Sequence, residues 1–429
     1  MQKIVIQGGR PLKGDVTISG AKNSALPILF ATLLADGPVM LRNVPELEDI
    51  QTTLKILQFM GAKVSNGYPK SLKVQPTGLK HCEAPYELVK TMRASVLAMG
   101  PLLGKFHQAK VSLPGGCAIG TRPIDLHLKA FEQMGAKIEL EGGYVNAYVP
   151  GKKRLQGAKI HFDTVTVTGT ENVMMAAVLA RGQTIIENAA REPEISDLAN
   201  ILNKMGAKIY GAGTETIIID GVDALKGTEH AIISDRIEAG TFMIGAAMTG
   251  GSVTLHGTEA VMVEALTAKL GECGAKVTVL PKDGSIKVEG PAGGAKNLKS
   301  GDATTAPYPG FATDFQAQYM ALMTVAQGTS VITETIFENR FMHALELKRM
   351  GADIQIEGHR AIVKGVKKLS GAPVMASDLR ASAALLLAGL VADGLTEVHR
   401  VYHIDRGYEN IEKKFRALGA RVKRAKVKY

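Results

Sequence analysis

Apolar residues along the chain form two recurring helix patterns. In the first, apolar side chains fall three, four or seven positions apart, which predicts a helix with one buried face. The clearest examples are Ile50, Leu54 and Leu57; Ile195, Leu198 and Leu202; and Ile411, Phe415 and Leu418. A short run typical of a β-strand follows each, so the pattern predicts surface helices that lead into strands.

The second pattern is a segment of small apolar residues that predicts a helix buried on most sides. Six such segments begin near Lys22, Arg93, Thr170, Arg236, Asp314 and Arg380. Most of them lead into a turn of the Asp-Gly or Gly-Gly kind and then a strand. The repeating unit is therefore predicted as strand, buried helix, strand, surface helix, strand.

A short signature after each surface helix indicates that this unit occurs six times. A glycine followed by alanine, a charged residue and Val or Ile recurs every 68 to 77 residues, at Gly61, Gly135, Gly206, Gly274, Gly351 and Gly419. A glycine at this point can adopt the left-handed conformation that ends a helix. Six units of about 70 residues predict an α/β protein. The buried helices favour two domains of three units over one solenoid, whose helices would stay half exposed.

Composition limits the class of protein. Of the 429 residues, 45% are hydrophobic and 21% charged, values typical of a globular chain. The apolar runs are shorter than the ~20 residues that span a bilayer, and the first residues lack the apolar stretch of a secretory signal. Three cysteines share no metal spacing and leave one thiol over in any pairing. We therefore expect a cytoplasmic protein with no membrane insertion and no metal.

Half of the net charge of +10 lies in the C-terminal tail, where the last nine residues hold five basic side chains and no acid. A charged edge strand, which discourages pairing between sheets, explains this tail better than a nucleic-acid arm does. The chain has no aromatic-rich basic patch, so we expect no nucleic-acid partner. The remaining positive charge is compatible with an anionic small-molecule substrate.

Basic residues recur where the predicted buried helices begin, at Lys22, Arg93, Arg236 and Arg380. A helix N-terminus already carries a partial positive charge, so a cation there is unfavourable unless an anion binds to it. Two interpretations stay open at this stage. These cations either surround an anionic ligand or are surface residues at ordinary helix starts.

One cysteine lies in a glycine-rich segment, from Pro114 to Gly120, with Arg122 shortly after it. A nearby cation favours the thiolate, so Cys117 is either a reactive thiol or a small buried hydrophobe. Cys82 and Cys273 lack such a context and are predicted to be buried. Phosphate-loop, dinucleotide, zinc-protease and Cys-x-x-Cys motifs do not occur in the sequence.

Long segments of the chain resemble the UDP-N-acetylglucosamine 1-carboxyvinyltransferases. They include GAKNSALPILFATLLADG, LPGGCAIGTRPIDLHL, AAREPEISDLA, APYPGFATDFQAQYMAL, TETIFENRFMHALEL, DLRASAALLLAGL and YHIDRGYENIEKK. The resemblance implies an inside-out α/β barrel with residues 21–233 in one domain and 1–20 plus 234–429 in the other. It implies an active site in the cleft between them. The implied reaction joins phosphoenolpyruvate to the 3′-hydroxyl of UDP-N-acetylglucosamine, without a cofactor.

The resemblance also implies roles for individual residues. Cys117 is the implied proton donor and the thiol that becomes covalently modified, including by fosfomycin. The implied catalytic residues are Cys117, Asp314, Lys22 and Arg406. The implied phosphoenolpyruvate ligands are Lys22, Asn23, Arg122, Arg380 and Arg406. The implied nucleotide-sugar ligands are Asn23, Arg93, Arg122, Pro123, Ile124, Asp125, Leu126, a strand of Thr164, Val165, Thr166 and Val167, and Asp314, Ile336 and Arg340. Family members often carry lysine where this chain has Thr164.

Three rival functions remain. The transferase that makes 5-enolpyruvylshikimate 3-phosphate shares the implied fold but lacks the cysteine segment and the Arg-Pro-Ile-Asp loop. A non-catalytic repeat scaffold would leave the cations at the helix starts without a purpose. A catalytically dead paralogue would keep the fold, although Lys22, Cys117, Asp314 and Arg406 are all present.

Overall fold

The computed structural model describes residues 2–67, 71–90, 92–112 and 124–427. They form two compact units: unit A lies within Gly20–Gly116 and Arg122–Ile233, and unit B within Met1–Ser19 and Ser234–Tyr429. Each unit has its own hydrophobic core. Two cores agree with the two clusters of repeats that the buried helices predicted.

Helices of the two predicted kinds alternate along the chain and are numbered here in chain order. The buried helices are α1 (Lys22–Ala31), α4 (Met99–Phe106) and α6 (Val167–Ala177) in unit A, and α8 (Arg236–Thr249), α10 (Gln316–Met323) and α12 (Leu379–Val391) in unit B. The surface helices are α2 (Glu48–Met60), α5 (Asp125–Gln133), α7 (Pro193–Lys204), α9 (Glu264–Glu272), α11 (Met342–Arg349) and α14 (Ile411–Ala417). Two short helices are α3 (Tyr86–Val89) and α13 (Tyr402–Asp405). Short 3₁₀ turns cover Thr32–Leu34, Arg93–Ala98, Pro150–Lys152, Ala260–Val263, Gly294–Asn297 and Thr313–Phe315.

The described strands form six four-stranded sheets, three in each unit. In order across each sheet, unit A contains β14 (Glu229–Ala231), β3 (Val39–Arg42), β5 (Ser71–Gln75) and β4 (Lys63–Gly67); β6 (Glu83–Ala84), β7 (Gln108–Ser112), β9 (Tyr144–Tyr148) and β8 (Lys137–Glu141); and β10 (Lys159–His161), β11 (Gln183–Glu187), β13 (Thr216–Asp220) and β12 (Lys208–Tyr210). Unit B contains β2 (Lys13–Thr17), β15 (Ser252–His256), β17 (Ile286–Glu289) and β16 (Lys276–Val279); β18 (Ala303–Thr304), β19 (Thr329–Thr333), β21 (Arg360–Lys364) and β20 (Asp353–Glu357); and β22 (Pro373–Met375), β23 (Leu395–His399), β1 (Gln2–Gln7) and β24 (Arg421–Lys426).

All six sheets share one pairing scheme. The first two strands across each sheet are parallel, and the other neighbours are antiparallel. In the last sheet, β1 lies between β23 and β24, where Ile4 is opposite both Val398 and Arg424. The first strand of the chain therefore completes its last repeat, and the basic tail forms the edge of that sheet.

The predicted helix ends are confirmed at all six signature glycines, whose φ angles lie between 91° and 108°. Glycine also lets the buried helices approach closely. A β-carbon on Gly100 in α4 would lie 2.3 Å from the carbonyl oxygen of Asn172 in α6. None of the described helices combines the length and apolar character that crossing a membrane requires.

Candidate active site

Three predicted site residues of unit B meet in one ionic cluster. The Asp314 carboxylate accepts a hydrogen bond on Oδ1 from Arg340 Nη2 at 2.6 Å. Its Oδ2 accepts two from Arg380, from Nη2 at 3.0 Å and Nε at 3.1 Å. The side chains of Arg340 and Arg380 are only 5% and 2% exposed, whereas that of Asp314 is 26% exposed. In this cluster the carboxylate is therefore partly accessible to solvent, whereas the two cations are largely buried.

The surrounding charges keep Asp314 ionised. Burial by itself raises the pKa of this carboxyl. The charges of Arg380 and Arg340, the hydrogen bond from Arg340 and the charge of Arg236 outweigh burial and hold the pKa well below its usual range. Asp314 is consequently a strong hydrogen-bond acceptor and a weak proton acceptor while both arginines remain on it.

The start of α12 holds Arg380 in place. Asp378 Oδ1 caps this helix by accepting hydrogen bonds from the backbone N–H groups of Arg380 at 2.8 Å and Ala381 at 3.0 Å. The Arg380 guanidinium lies 5.3 Å from the centre of the Tyr408 ring. Its buried Nη1 makes no hydrogen bond to any residue that the structure describes. One donor of this cluster can therefore serve a ligand.

Glu334 is a buried carboxylate that organises the loop before α11. Its Oε2 accepts from the Thr313 hydroxyl at 2.8 Å, and Thr313 accepts from Arg340 Nη1 at 2.8 Å. Its Oε1 accepts from the backbone N–H of Ile336 at 2.8 Å. Ile336, another predicted site residue, is 37% exposed. The Asp314 cluster and Ile336 are thus joined through one acid that sequence reasoning did not select.

Arg406 lies at the end of α13, half-buried, two residues before Tyr408. The Tyr408 hydroxyl is buried and lies 2.9 Å from Thr241 Oγ1, and it accepts a hydrogen bond from Gln318 Nε2 at 3.2 Å. Because Tyr408 also packs against Arg380, this tyrosine links the chain segment of Arg406 to the Asp314 cluster within unit B.

In unit A, Lys22 is the first residue of α1 and is largely buried. Its Nζ lies 2.6 Å from Asp49 Oδ2 in the first turn of α2. Asn23 is exposed, whereas Ser24 is buried and donates a hydrogen bond to Asp197. Asp197 also pairs with His230 Nε2 at 2.7 Å. A buried polar network therefore fixes the start of α1, which carries two predicted site residues.

Two further groups of predicted nucleotide-sugar residues, 124–126 and 164–167, lie at two helix starts of unit A. Ile124, Asp125 and Leu126 begin α5. The prediction of a strand at Thr164–Val167 is wrong: β10 ends at His161, and α6 begins at Val167. Thr166 causes this early start, because its side chain accepts a hydrogen bond from Gly169 N at 3.2 Å and caps the helix.

His127 connects these two helix starts. It is buried, with Nδ1 3.0 Å from Asn172 Nδ2 and Nε2 3.3 Å from Thr168 Oγ1. Asn172 Oδ1 accepts from Gly100 N, so its amide nitrogen faces the ring and Nδ1 is the acceptor. Burial lowers the pKa of His127 to about 4, although the charge of Asp125 opposes this shift. The imidazole is therefore neutral near pH 7.

Several predicted residues cannot be placed in this geometry. Cys117, Arg122 and Pro123 lie outside the described residues. Arg93 begins a 3₁₀ turn, and its side chain lies outside the described part. Among described residues, no group of three or more His, Cys, Asp or Glu side chains could hold a metal ion. Cys273 is buried, as predicted, and Cys82 is half-buried.

Sequence reasoning missed the residues that hold the predicted ones in place: Asp49, Glu334, Asp378 and Tyr408. A signal existed for Asp378, since Asp two residues before a basic helix start is a common N-cap. A signal also existed for Asp49, because an acidic side chain in the first turn of a helix interacts favourably with the helix dipole. Glu334 and Tyr408 act through contacts that sequence spacing does not reveal.

Comparison with known proteins defines the class of this fold and site. A family model described as EPSP synthase (3-phosphoshikimate 1-carboxyvinyltransferase) matches residues 6–415. The enolpyruvyl transferase NikO from Streptomyces tendae has a TM-score of 0.85 at 24% identity, covering 99% of this chain and 98% of that one. An EPSP synthase from Acinetobacter baumannii has a TM-score of 0.76 at 20% identity, covering 99% and 100%. The two structures establish the predicted enolpyruvyl transferase fold, the inside-out α/β barrel.

Relatives of higher identity narrow the class. The UDP-N-acetylglucosamine 1-carboxyvinyltransferase of Geobacter metallireducens is 57% identical over 426 residues, which cover 99% of this chain and all of the relative. That of Geotalea uraniireducens is 58% identical over 424 residues, covering 99% of each. The chain belongs to the family of UDP-N-acetylglucosamine 1-carboxyvinyltransferases, as its motifs predicted.

Proposed function

We propose that this protein transfers the enolpyruvyl group of phosphoenolpyruvate to the 3′-hydroxyl of UDP-N-acetylglucosamine and releases phosphate. This is the first committed step of peptidoglycan precursor synthesis. The observation that carries the proposal is 57% identity across 99% of the chain with an enzyme named for this transfer. The basic cluster around Asp314 supports it, because both substrates are anionic.

The chemistry requires one addition, one elimination and three proton transfers. A proton is added to the methylene carbon of phosphoenolpyruvate while the sugar oxygen bonds to the neighbouring carbon and loses its own proton. The resulting tetrahedral adduct then loses a proton from the former methylene carbon and expels phosphate, which restores the double bond. Cations that stabilise the phosphate and carboxylate lower the barriers of both steps.

For Asp314 we propose a role at the sugar hydroxyl. A carboxylate with two arginines on it accepts a hydrogen bond from that hydroxyl and orients its oxygen for attack. It becomes able to take the proton when a substrate anion draws Arg380 or Arg340 away, because its pKa then rises toward the usual range. Arg340 and Ile336 would contact the nucleotide sugar on the same side.

For the phosphoenolpyruvate site we propose Lys22, Asn23, Arg122, Arg380 and Arg406. The buried Nη1 of Arg380, which lacks a hydrogen bond within the described residues, supports its share in this site. The salt bridge of Lys22 with Asp49 holds the ammonium group at the start of α1. Lys22 and Arg406 would also act in catalysis by neutralising charge on the departing phosphate.

Cys117 is the proposed proton donor, and it would carry any covalent adduct. For the nucleotide sugar we propose contacts by Asn23, Arg93, Arg122, Pro123, the start of α5 and residues 164–167. The latter two groups would offer backbone N–H groups at helix N-termini, which suit phosphate oxygens. We also propose a cytoplasmic location, which fits the unpaired thiols of Cys82 and Cys273.

Phosphate release tests the proposal. Purified protein with phosphoenolpyruvate should release phosphate when UDP-N-acetylglucosamine is present and not when it is absent. Cys117→Ala should abolish this release, while Cys82→Ala, which also removes one thiol, should retain it. Mass spectrometry of the product should find the enolpyruvyl group on the nucleotide sugar.

The same assay separates the rival functions. Release supported by shikimate 3-phosphate in place of the nucleotide sugar would assign the activity named by the family model. Absence of release with either acceptor, from folded protein, would indicate a dead paralogue. Full activity of Cys117→Ala would refute the role of the thiol without refuting the transfer.

A further inference from the structure

Arg424, near the C-terminus, uses every N–H donor of its guanidinium group. Nε donates to Glu412 Oε1 at 2.9 Å, and Nη2 donates to Glu412 Oε2 at 3.2 Å and Asp405 Oδ1 at 2.6 Å. Nη1 donates to Asp405 Oδ2 at 2.9 Å and to Gln2 Oε1 at 3.1 Å. Two carboxylates and one amide thus accept all five N–H groups, and paired Arg–carboxylate hydrogen bonds of this kind are strong and geometrically specific.

The two carboxylates lie on either side of Arg406. Asp405 is the last residue of α13, immediately before Arg406, and Glu412 lies in the first turn of α14. The turn between them passes through Asn410, which has a left-handed backbone with φ of 50°. Arg424 therefore clamps both ends of the segment that carries Arg406.

Arg424 also satisfies charges that lie close to Arg406. It engages both oxygens of Asp405 and both oxygens of Glu412. Burial tends to raise the pKa of Glu412, but the hydrogen bond and charge of Arg424 outweigh it and lower that pKa. Glu412 thus remains ionised, and both acids are paired with Arg424.

We propose that Arg424 is a positioning residue that holds the Arg406 segment in its binding geometry. The inference rests on the proposed function, in which Arg406 binds phosphoenolpyruvate. Arg424 touches no substrate itself. Its effect should therefore be confined to the substrate that Arg406 contacts.

Steady-state kinetics of Arg424→Ala tests this. Because small displacements of a binding group have large kinetic effects, KM for phosphoenolpyruvate should rise about 10- to 100-fold. KM for UDP-N-acetylglucosamine should stay within about twofold. Arg424→Lys keeps the charge but cannot form the paired hydrogen bonds. Its KM for phosphoenolpyruvate should therefore lie between those of the wild type and Arg424→Ala. Lys423→Ala is the matched control, since it removes an exposed charge from the same strand.

A double variant distinguishes positioning from general stabilisation. If Arg424 acts through Arg406, adding Arg424→Ala to Arg406→Ala should raise KM for phosphoenolpyruvate no further. Multiplied effects, or an equal rise of both KM values in Arg424→Ala, would overturn the inference. If Arg424→Ala does not fold, Arg424→Lys and Glu412→Gln replace it in the same comparison. An unchanged KM in Arg406→Ala would instead refute the proposed role of Arg406.

Discussion

Replacing Asp314 by Asn tests the ionic cluster directly, because the change keeps the side-chain size and removes only the charge. The wild-type carboxylate is the shared partner of Arg340 and Arg380, which are 5% and 2% exposed. In the variant, two largely buried cations would face a neutral amide. Its NH₂ group, if turned toward either guanidinium, would bring donor against donor.

The size of the effect follows from these contacts. Removing one partner of a buried ion pair typically costs about 3–5 kcal/mol, because the remaining charge stays buried without compensation. Asp314 has two such partners, but its side chain is 26% exposed, so water can offset part of the loss. We expect Asp314→Asn to lower the free energy of unfolding by about 3 kcal/mol, the lower end of that range.

Urea unfolding measures this change. The chain has no tryptophan, so far-UV circular dichroism is the suitable signal. Asp302→Asn is the matched control, because Asp302 is exposed and makes one backbone hydrogen bond, from Val331 N at 2.7 Å. It should cost less than about 1 kcal/mol.

The pH dependence adds a second criterion. A carboxyl whose pKa is lowered in the folded state contributes stability that is complete above its unfolded pKa, about 3.9. That stability is lost only as pH falls toward the folded value. The difference between wild type and Asp314→Asn should therefore be constant from pH 5 to 8. A loss below about 1 kcal/mol, or one that disappears between pH 8 and 6, would refute the cluster as described.

Two further predictions concern buried groups near the proposed sites. The pKa of His127 is lowered to about 4, so between pH 6.5 and 4 this residue binds fewer protons in the folded than in the unfolded state. The free energy of unfolding should therefore decrease as the pH is lowered through this range. From pH 7 to 5 His127 should account for about 2 kcal/mol of loss, which His127→Gln should remove in urea titrations; an unchanged slope would contradict this. Tyr408→Phe leaves Thr241 and Gln318 without their hydroxyl partner and should cost about 1–2 kcal/mol of unfolding free energy. The exposed Tyr210→Phe should cost nothing measurable, and equal effects of the two would argue against the buried contacts of Tyr408.

The fold was predictable because its evidence is repeated within the chain. Six equivalent glycines and six apolar segments each predict the same local structure, and errors at one repeat are corrected by the others. The starts of α1 at Lys22 and α8 at Arg236 coincide with the predicted ones. Other starts differ: α6 begins three residues before Thr170, and α4 begins at Met99, after a 3₁₀ turn that starts at Arg93. Apolar periodicity detects the buried face of a helix, whereas the start depends on a single polar contact, here that of Thr166.

The candidate site was predictable only in part, because its interacting residues are distant in sequence. Nothing local in the sequence indicates that Asp314 binds Arg380, 66 residues away. Family resemblance predicted both as site residues, but it did not select Asp49, Glu334 or Tyr408, which contact the predicted residues. These supporting contacts follow from how the repeats pack, and a single sequence contains no direct record of that packing.

The basic tail shows how a composition argument can be refined by strand geometry. Side chains of a strand alternate between its two faces, so Arg424 shares the face of Val422, while Arg421 and Lys423 point the other way. Val422 is buried and packs in the core of unit B, and Arg421 and Lys423 are exposed. A cation on the core-facing side needs acidic partners, and Asp405 and Glu412 supply them. This edge strand therefore carries two kinds of positive charge. Arg421 and Lys423 are exposed and discourage pairing of the strand edge with another sheet. Arg424, on the core-facing side, holds the proposed substrate-binding segment.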